Sequence, residues 1–244
     1  MKNIQGLIRK ALEKYDMIQS NDKIAVGLSG GKDSLVLLTH LASIQKYYPI
    51  PFTLIAISID MFNGKTDYSK LTEYVNKLGI EHHIVPTPLY ELIFEIRKEE
   101  NPCSLCARMR RGLLNSTAKE LGCNKVALGH HADDLIETFF LSMFYEGSLN
   151  TFAPVTYLSR TGITVIRPLM LVQESQTIKD SKNMPVIHNE CPADKHTQRE
   201  YIKNLLKNLS KDIPNMQNNI FNAITTPERY HLFDKSIKQE EEKD

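Results

Sequence analysis

Apolar positions along this chain fall into two alternating rhythms. Ile4, Leu7, Ile8 and Leu12 recur at helical spacing with charges between them, which predicts an amphipathic helix over about 3–18. The short apolar run "DKIAVGLS" (22–29) predicts a buried strand, and "LVLLTHLASIQKYY" (35–48) an apolar-rich helix. The same exchange then repeats. "FTLIAISID" (52–60) reads as a strand and "DYSKLTEYVNKLG" (67–79) as a helix closed by Gly79, where a C-cap glycine belongs. "IEHHIVP" (80–86) is a third strand, followed by helices over 89–99 and 105–122. "NKVALGH" (124–130) is a fourth strand, 132–147 a helix and "GITVIRPL" (162–169) a fifth strand. Strand and helix alternating in this way predict an α/β fold with a doubly wound parallel sheet. After about residue 172 strands stop, and 197–213 and 216–224 read as helices. The expected organisation is an N-terminal helix (1–20), an α/β domain (21–172), a helical C-terminal extension (173–228) and a polar, flexible tail (229–244).

Composition narrows the class. A chain of 244 residues that is 41% hydrophobic and 24% charged buries a real core. It has no apolar run near the roughly 18–20 residues that span a bilayer, and its N-terminus lacks the features of a secretory signal. The expectation is a cytoplasmic protein with no membrane partner; a homodimer is compatible with the sequence. Four cysteines in such a chain point to metal or thiol chemistry rather than a disulfide framework. The net charge of +1 gives no global attraction to nucleic acid, but the cations are clustered. Arg97, Lys98, Arg108, Arg110 and Arg111 surround one cysteine pair, and Lys195, His196, Arg199, Lys203, Lys207 and Lys211 form a second run. Such runs are commonly solvated faces.

The strongest local signal is "VGLSGGKDS". A strand runs into Ser29, Gly30, Gly31, Lys32, Asp33 and Ser34, and a helix begins at once. Ligands of an open parallel sheet bind beyond the carboxyl ends of its strands. Glycines there let the backbone approach an anion, successive N–H groups and the helix's positive end face it, and Lys32 adds charge. Asp33 repels phosphate unless a cation lies between, and Mg²⁺ is that cation by default. The lysine spacing differs from GxxxxGK[ST] and instead resembles the PP-loop of enzymes that cleave ATP between its α and β phosphates. "ALGHHADDLIET" follows the fourth strand and so reaches the same edge. Gly129 permits a tight exit, and His130 and His131 precede Asp133 and Asp134. One carboxylate there, Asp134, is placed to steer substrate or help hold Mg²⁺; the alternative is a helix-capping cluster.

"PCSLCARMRRG", "LGHHADDLIETFFLSMFYEG" and "VIRPLM", in that order after SGGKDS, resemble the tRNA 2-thiocytidine synthetase family over roughly residues 20–210. The resemblance implies an adenine-nucleotide α-hydrolase-like (PP-loop) sheet and ATP-dependent transfer of sulfur to C2 of a cytidine in tRNA, position 32. It implies ATP binding at Ser29, Gly30, Gly31, Lys32, Asp33, Ser34, Gly129 and His130, and a sulfur donor such as a cysteine desulfurase or sulfide. It also places a third cluster cysteine in the region of Cys191, where this chain has Cys191 followed by Pro192 instead of the usual CxxC-like pairing.

Cys103, Cys106 and Cys191 then admit three accounts. Three thiolates suit a [4Fe–4S] cluster with one iron open to exogenous sulfide. A thiol relay would carry a persulfide on one cysteine and resolve it as a disulfide on another. Zinc would take the same three with a histidine such as His196. Cys123, between helix and strand, reads as a core residue. Arg110 and Arg111, one helical turn beyond Cys106, are positioned for adenylate or tRNA phosphate unless they are surface ion pairs; Lys195 and Arg199 would join them on the RNA backbone. Phe140, Phe144 and Tyr145 are expected in the core. Two rival functions remain: a PP-loop ligase or sulfurtransferase acting on another nucleoside or small molecule, and a zinc-stabilised RNA-binding module.

Overall fold

The computed structural model describes residues 3–97, 102–187 and 197–230. Cys191, Lys195, His196 and Lys98 lie outside the described residues, as do the last fourteen positions of the tail (231–244). Helix α1 (Ile4–Lys14) carries the whole apolar pattern but ends before the expected residue 18; Asn3 caps it by accepting Gln5 N–H. It leads into β1 (Asp22–Gly27), α2 (Lys32–Gln45), β2 (Phe52–Asp60), α3 (Ser69–Lys77) and β3 (Glu81–Pro86). A π-helical turn (Glu91–Ile96) stands where a plain helix is expected, and α4 (Pro102–Glu120) follows it. Then come β4 (Lys125–Ala127) and α5 (Ala132–Leu141), which ends in a π turn (Ser142–Glu146) instead of running on to 147.

The sheet has six strands in the order β3-β2-β1-β4-β6-β5. Five are parallel, as the alternation predicts. The sixth, β5 (Val155–Leu158), is an antiparallel edge strand against β6 (Ile163–Ile166) that the sequence pattern does not reveal. It follows Pro154, three of its four residues are only half covered and Tyr157 is exposed, so they never form an apolar run. α6 (Glu174–Asp180), α7 (Gln198–Asp212) and α8 (Met216–Thr225) complete the described chain.

The pleat sends alternate residues to opposite faces. Ile24 and Val26 of β1 join Ile8 and Leu12 of α1 and Leu35 and Leu38 of α2 in the main core. Ala25 joins Ile55, Ile57, Leu114 and Cys123 under α4 on the other face. Cys123 is thus a core residue. α5, α7 and α8 pack through Ile136, Ile202, Leu206 and Met216, with Phe140 at their edge. Phe144 and Tyr145, expected in the core, are each 49% exposed, because the π turn rotates them off the buried stripe of α5.

A buried polar chain fixes the exit of β1. The Ser58 hydroxyl donates to Leu28 O (2.6 Å), and its oxygen lies 2.9 Å from His82 Nε2, while His82 Nδ1 lies 2.8 Å from Thr72 Oγ1. Ser58 is thereby the acceptor for Nε2–H, and Nδ1 accepts from Thr72. Burial first, and then the charge of His83, hold His82 down to about 4. The unfolded chain takes up this proton near the ordinary value of 6.5 and the folded chain only near 4. Stability is therefore complete above that window and is lost as pH falls through it. Urea midpoints are expected to drop between these two pH values, and His82→Gln to flatten that slope; an unchanged slope refutes the assignment.

Candidate active site

Leu28 continues β1 by donating its N–H to Ile57 O (2.8 Å), and the chain then turns sharply. Gly30 has φ +80°, a left-handed conformation suited to glycine, and Gly31 caps α2 without a side chain. The first-turn N–H groups of α2, which lack intrahelical partners, therefore face outward with the helix's positive end. Ser29 Oγ accepts from Gly31 N–H (3.2 Å) and Ser34 Oγ donates to Gly31 O (2.8 Å), which fixes the loop. β4 presses against it from the side. A Cβ on Gly129 would lie 3.1 Å from the carbonyl carbon of Asp33 and from Ser34 N. From above, Ile187 donates its N–H to Gly30 O (2.9 Å).

Lys32 and Asp33 are not bare. Lys32 Nζ pairs with Asp33 Oδ2 (2.8 Å) and Glu174 Oε1 (3.1 Å), and Glu174 also holds Lys203 Nζ (2.8 Å). Thr177 Oγ1 donates to the other Asp33 oxygen (2.6 Å). Burial lowers the Lys32 pKa, but the hydrogen bond and charge of Asp33, then those of Glu174, outweigh it and hold the ammonium above its ordinary value. Lys32 is therefore a cation held between two carboxylates beside the loop.

The second motif divides its labour. His131 and Asp134 form a capping box for α5, with His131 N–H donating to Asp134 Oδ2 (2.9 Å) and Asp134 N–H to His131 Nδ1 (3.3 Å). Asp133 Oδ2 accepts Glu174 N–H (2.7 Å) at the start of α6. The capping alternative thus describes His131, Asp133 and one oxygen of Asp134. The other Asp134 oxygen lies 3.7 Å from Arg199 Nη1. Arg199 donates to Glu137 Oε2 and Thr138 Oγ1, each at 3.1 Å, which docks α7 on α5. Burial, then the charge of Asp134, pushes the Glu137 carboxyl up.

One cavity of about 500 Å³ brings the two motifs together. Ser29, Asp33 and Ser34 line it with Gly129, His130 and Asp134, and Arg110, Arg111 and Arg199 join them beside apolar residues such as Leu114 and Leu128. Arg110 also borders a neighbouring cavity of about 660 Å³ with Ser29, Gly31, Met61, Phe62 and Tyr68. The wall of that second space is set by Asp60, fully buried, which accepts from Phe62 N–H (3.1 Å), Gly64 N–H (2.5 Å) and Thr66 Oγ1 (2.7 Å).

The cysteine pair opens α4, with Pro102 as its first residue. Cys103, Ala107, Arg110 and Leu114 share one helical face, and Ala107, Arg110 and Leu114 all line the first cavity. Cys103 is exposed, and buried Cys106 donates through Sγ to Met61 Sδ (3.7 Å), itself a wall of the second cavity. Cys106 is thus one contact away from the second cavity through Met61, and both cysteines lie at the start of α4, whose positive dipole favours anionic ligation. Among the described residues no group of three metal-ligating side chains occurs. Two thiols at CxxC spacing supply part of an iron–sulfur donor set, and Cys191 lies outside the described residues. In sequence it follows four positions after Ile187, which is bonded to the loop.

A PP-loop domain model matches residues 2–210. The tRNA-cytidine(32) 2-sulfurtransferase of Pseudomonas syringae pv. syringae is 38% identical over 240 residues, 97% of this chain and 88% of the relative. That of Aliivibrio fischeri is 40% identical over 237 residues, 96% of this chain and 77% of its own length. The chain belongs to the tRNA-cytidine(32) 2-sulfurtransferase family. Among solved structures, the U34-tRNA thiolase NcsA from Methanococcus maripaludis with its [4Fe-4S] cluster superposes with a TM-score of 0.71 at 26% identity, covering 91% of this chain and 76% of the thiolase. The NH3-dependent NAD synthetase of Campylobacter jejuni shares the fold alone, with a TM-score of 0.50 at 17% identity. Family membership accounts for the motif order but leaves several site residues of this 2-sulfurtransferase relative unmarked. Thr177 and Glu174 reach Asp33 and Lys32 from more than 140 positions away. The short polar stretch that holds them carries no motif.

Proposed function

We propose that this protein is an ATP-dependent tRNA thiolase that replaces O2 of a cytidine, position 32 as in its relatives, with sulfur. The observation that carries the reading is the shared cavity. The helix that bears Cys103 and Cys106 also contributes Arg110 and Arg111 to the cavity lined by Ser29, Asp33 and Ser34. ATP phosphates rest on Ser29–Ser34, with Asp33 as the carboxylate for Mg²⁺ and Lys32 as the mobile counter-charge. His130 and Gly129 close the far wall, and Arg110, Arg111, Lys195 and Arg199 meet the adenylate and the RNA backbone.

Cytidine O2 attacks the α-phosphorus and pyrophosphate departs. The carbonyl oxygen is thereby carried on AMP, a good leaving group. Sulfide then adds to C2 and AMP leaves with that oxygen. The sum is cytidine, ATP and hydrogen sulfide giving 2-thiocytidine, AMP and pyrophosphate, with no change of oxidation state. Positioning and charge neutralisation supply most of the acceleration in such phosphoryl chemistry. A [4Fe–4S] cluster on Cys103, Cys106 and Cys191 would supply an open iron that presents sulfur as a nucleophile. The donor in this sum is sulfide; a cysteine desulfurase, which hands over persulfide sulfur, would serve only together with a two-electron thiol reductant. Anaerobic purification followed by iron and acid-labile sulfide analysis tests the donor set: a brown protein with about four irons per chain is expected. A colourless protein with stoichiometric zinc would overturn it.

A further inference from the structure

Arg167 takes no part in the reaction as written. It follows β6 at the carboxyl edge of the sheet. Nη1 donates to Ala153 O (2.6 Å) and Thr156 Oγ1 (3.1 Å), and the guanidinium lies over the Phe152 ring, 5.0 Å from its centroid. Arg167 Nε is buried and has no hydrogen-bond partner among the described residues, where no carboxylate pairs with this side chain either. His130 packs against the same ring at 5.1 Å, and its buried Nδ1 is likewise unpartnered among the described residues. Burial, then the nearby charge of Arg111, pulls the Arg167 pKa down to about 10, and burial holds His130 at about 4. Two buried polar atoms without partners among the described residues, one of them on a guanidinium that has no counter-ion there, are costly unless an anion arrives.

We propose that Arg167 and His130, which share the Phe152 ring, form with the nearby Arg111 an anion subsite for a backbone phosphate of the substrate RNA. This rests on the reading that the substrate is tRNA. The subsite is separate from the triphosphate loop. Val26 pairs with Ala127 and Ala127 with Ile166, so Arg167 leaves the sheet two strands from the loop's own strand. At ~4.8 Å per strand the lateral separation is about 10 Å. Arg111 and His130 line the same cavity as Ser29 and Ser34, and Arg167 adjoins it through the Phe152 ring that it shares with His130. Arginine forks match phosphate oxygens, and a neutral imidazole adds a single directed donor.

The test uses the full chain, unmodified tRNA transcript and filter binding over a range of salt. Arg111→Gln removes an exposed helix charge, and Arg167→Met removes the buried one. Each is expected to weaken tRNA binding about tenfold and to lower the salt slope by about one, with a smaller loss for ATP. Because both arginines hold one phosphate, the double variant should lose less than the product of the two single losses. An unchanged slope in Arg111→Gln overturns the subsite even if Arg167→Met fails to fold. ATP affinity falling in step with tRNA affinity overturns it too, since the anion would then be the nucleotide's. If the wild-type chain binds no tRNA, the functional reading and the subsite fail together; wild-type binding with unaffected variants sinks the subsite alone.

Discussion

The Cys103→Ser protein is expected to release pyrophosphate from ATP in the presence of tRNA while forming no detectable 2-thiocytidine. The two halves of the reaction are built on different elements. Adenylation needs the loop at the end of β1, the first turn of α2 and the cations around them. On the proposed reading, sulfur delivery needs the thiols at the start of α4, whose face continues through Ala107 and Arg110 into the same cavity. Cys103 is exposed, so its replacement by the similarly sized serine is expected to leave the fold intact. A hydroxyl in its place is a poor ligand for iron and cannot carry a persulfide. Loss of thiolation by at least about a hundredfold follows, since even groups that merely orient metal ligands cost 10–100-fold. Nucleoside mass spectrometry and a pyrophosphate assay on one reaction mixture separate the outcomes. Loss of both products in parallel would mean that the cysteine supports nucleotide binding rather than sulfur transfer.

Gly129→Ala tests the other half. The added methyl would meet the Asp33 carbonyl carbon and Ser34 N at 3.1 Å and Asp33 O at 3.2 Å. These are backbone atoms of the first turn of α2 and cannot rotate away, so either β4 or the phosphate loop must shift. Overpacking of this kind costs ~1–3 kcal/mol of stability. The larger effect falls on catalysis: a misplacement of about 1 Å at a positioning element costs roughly 10²-fold, so the few tenths of an ångström required here should reduce turnover by about threefold to tenfold. Pyrophosphate release should therefore fall far more steeply than the urea midpoint. A variant that loses stability but keeps its rate would show that the loop tolerates displacement and that Gly129 serves only packing.

The chain's own residues made much of this legible. Ile24 and Val26 on one side of β1 and Ala25 on the other mark a strand covered on both faces, and the glycine pair at its end could lie only at the carboxyl edge. Asp133 and His131 were legible only as a motif. Their bonds to Glu174 N–H and to Asp134 N–H belong to helix starts, which a sequence expresses in the same letters as catalysis. β5 was hidden because an edge strand of four half-covered or exposed residues has no pattern of its own. Glu174, Thr177 and Arg167 were hidden for a different reason. Each acquires its role by folding against residues far along the chain, and local periodicity carries no record of such partners.

The central claim is that nucleotide activation and sulfur transfer act on one base in one cavity. The most direct measurement is the stoichiometry of a single reaction containing purified anaerobic protein, ATP, Mg²⁺, sulfide and unmodified tRNA. The expected result is one AMP and one pyrophosphate for each 2-thiocytidine, with no product when either ATP or sulfide is withheld. ATP consumed without tRNA, or thiolation that proceeds without ATP, would contradict it.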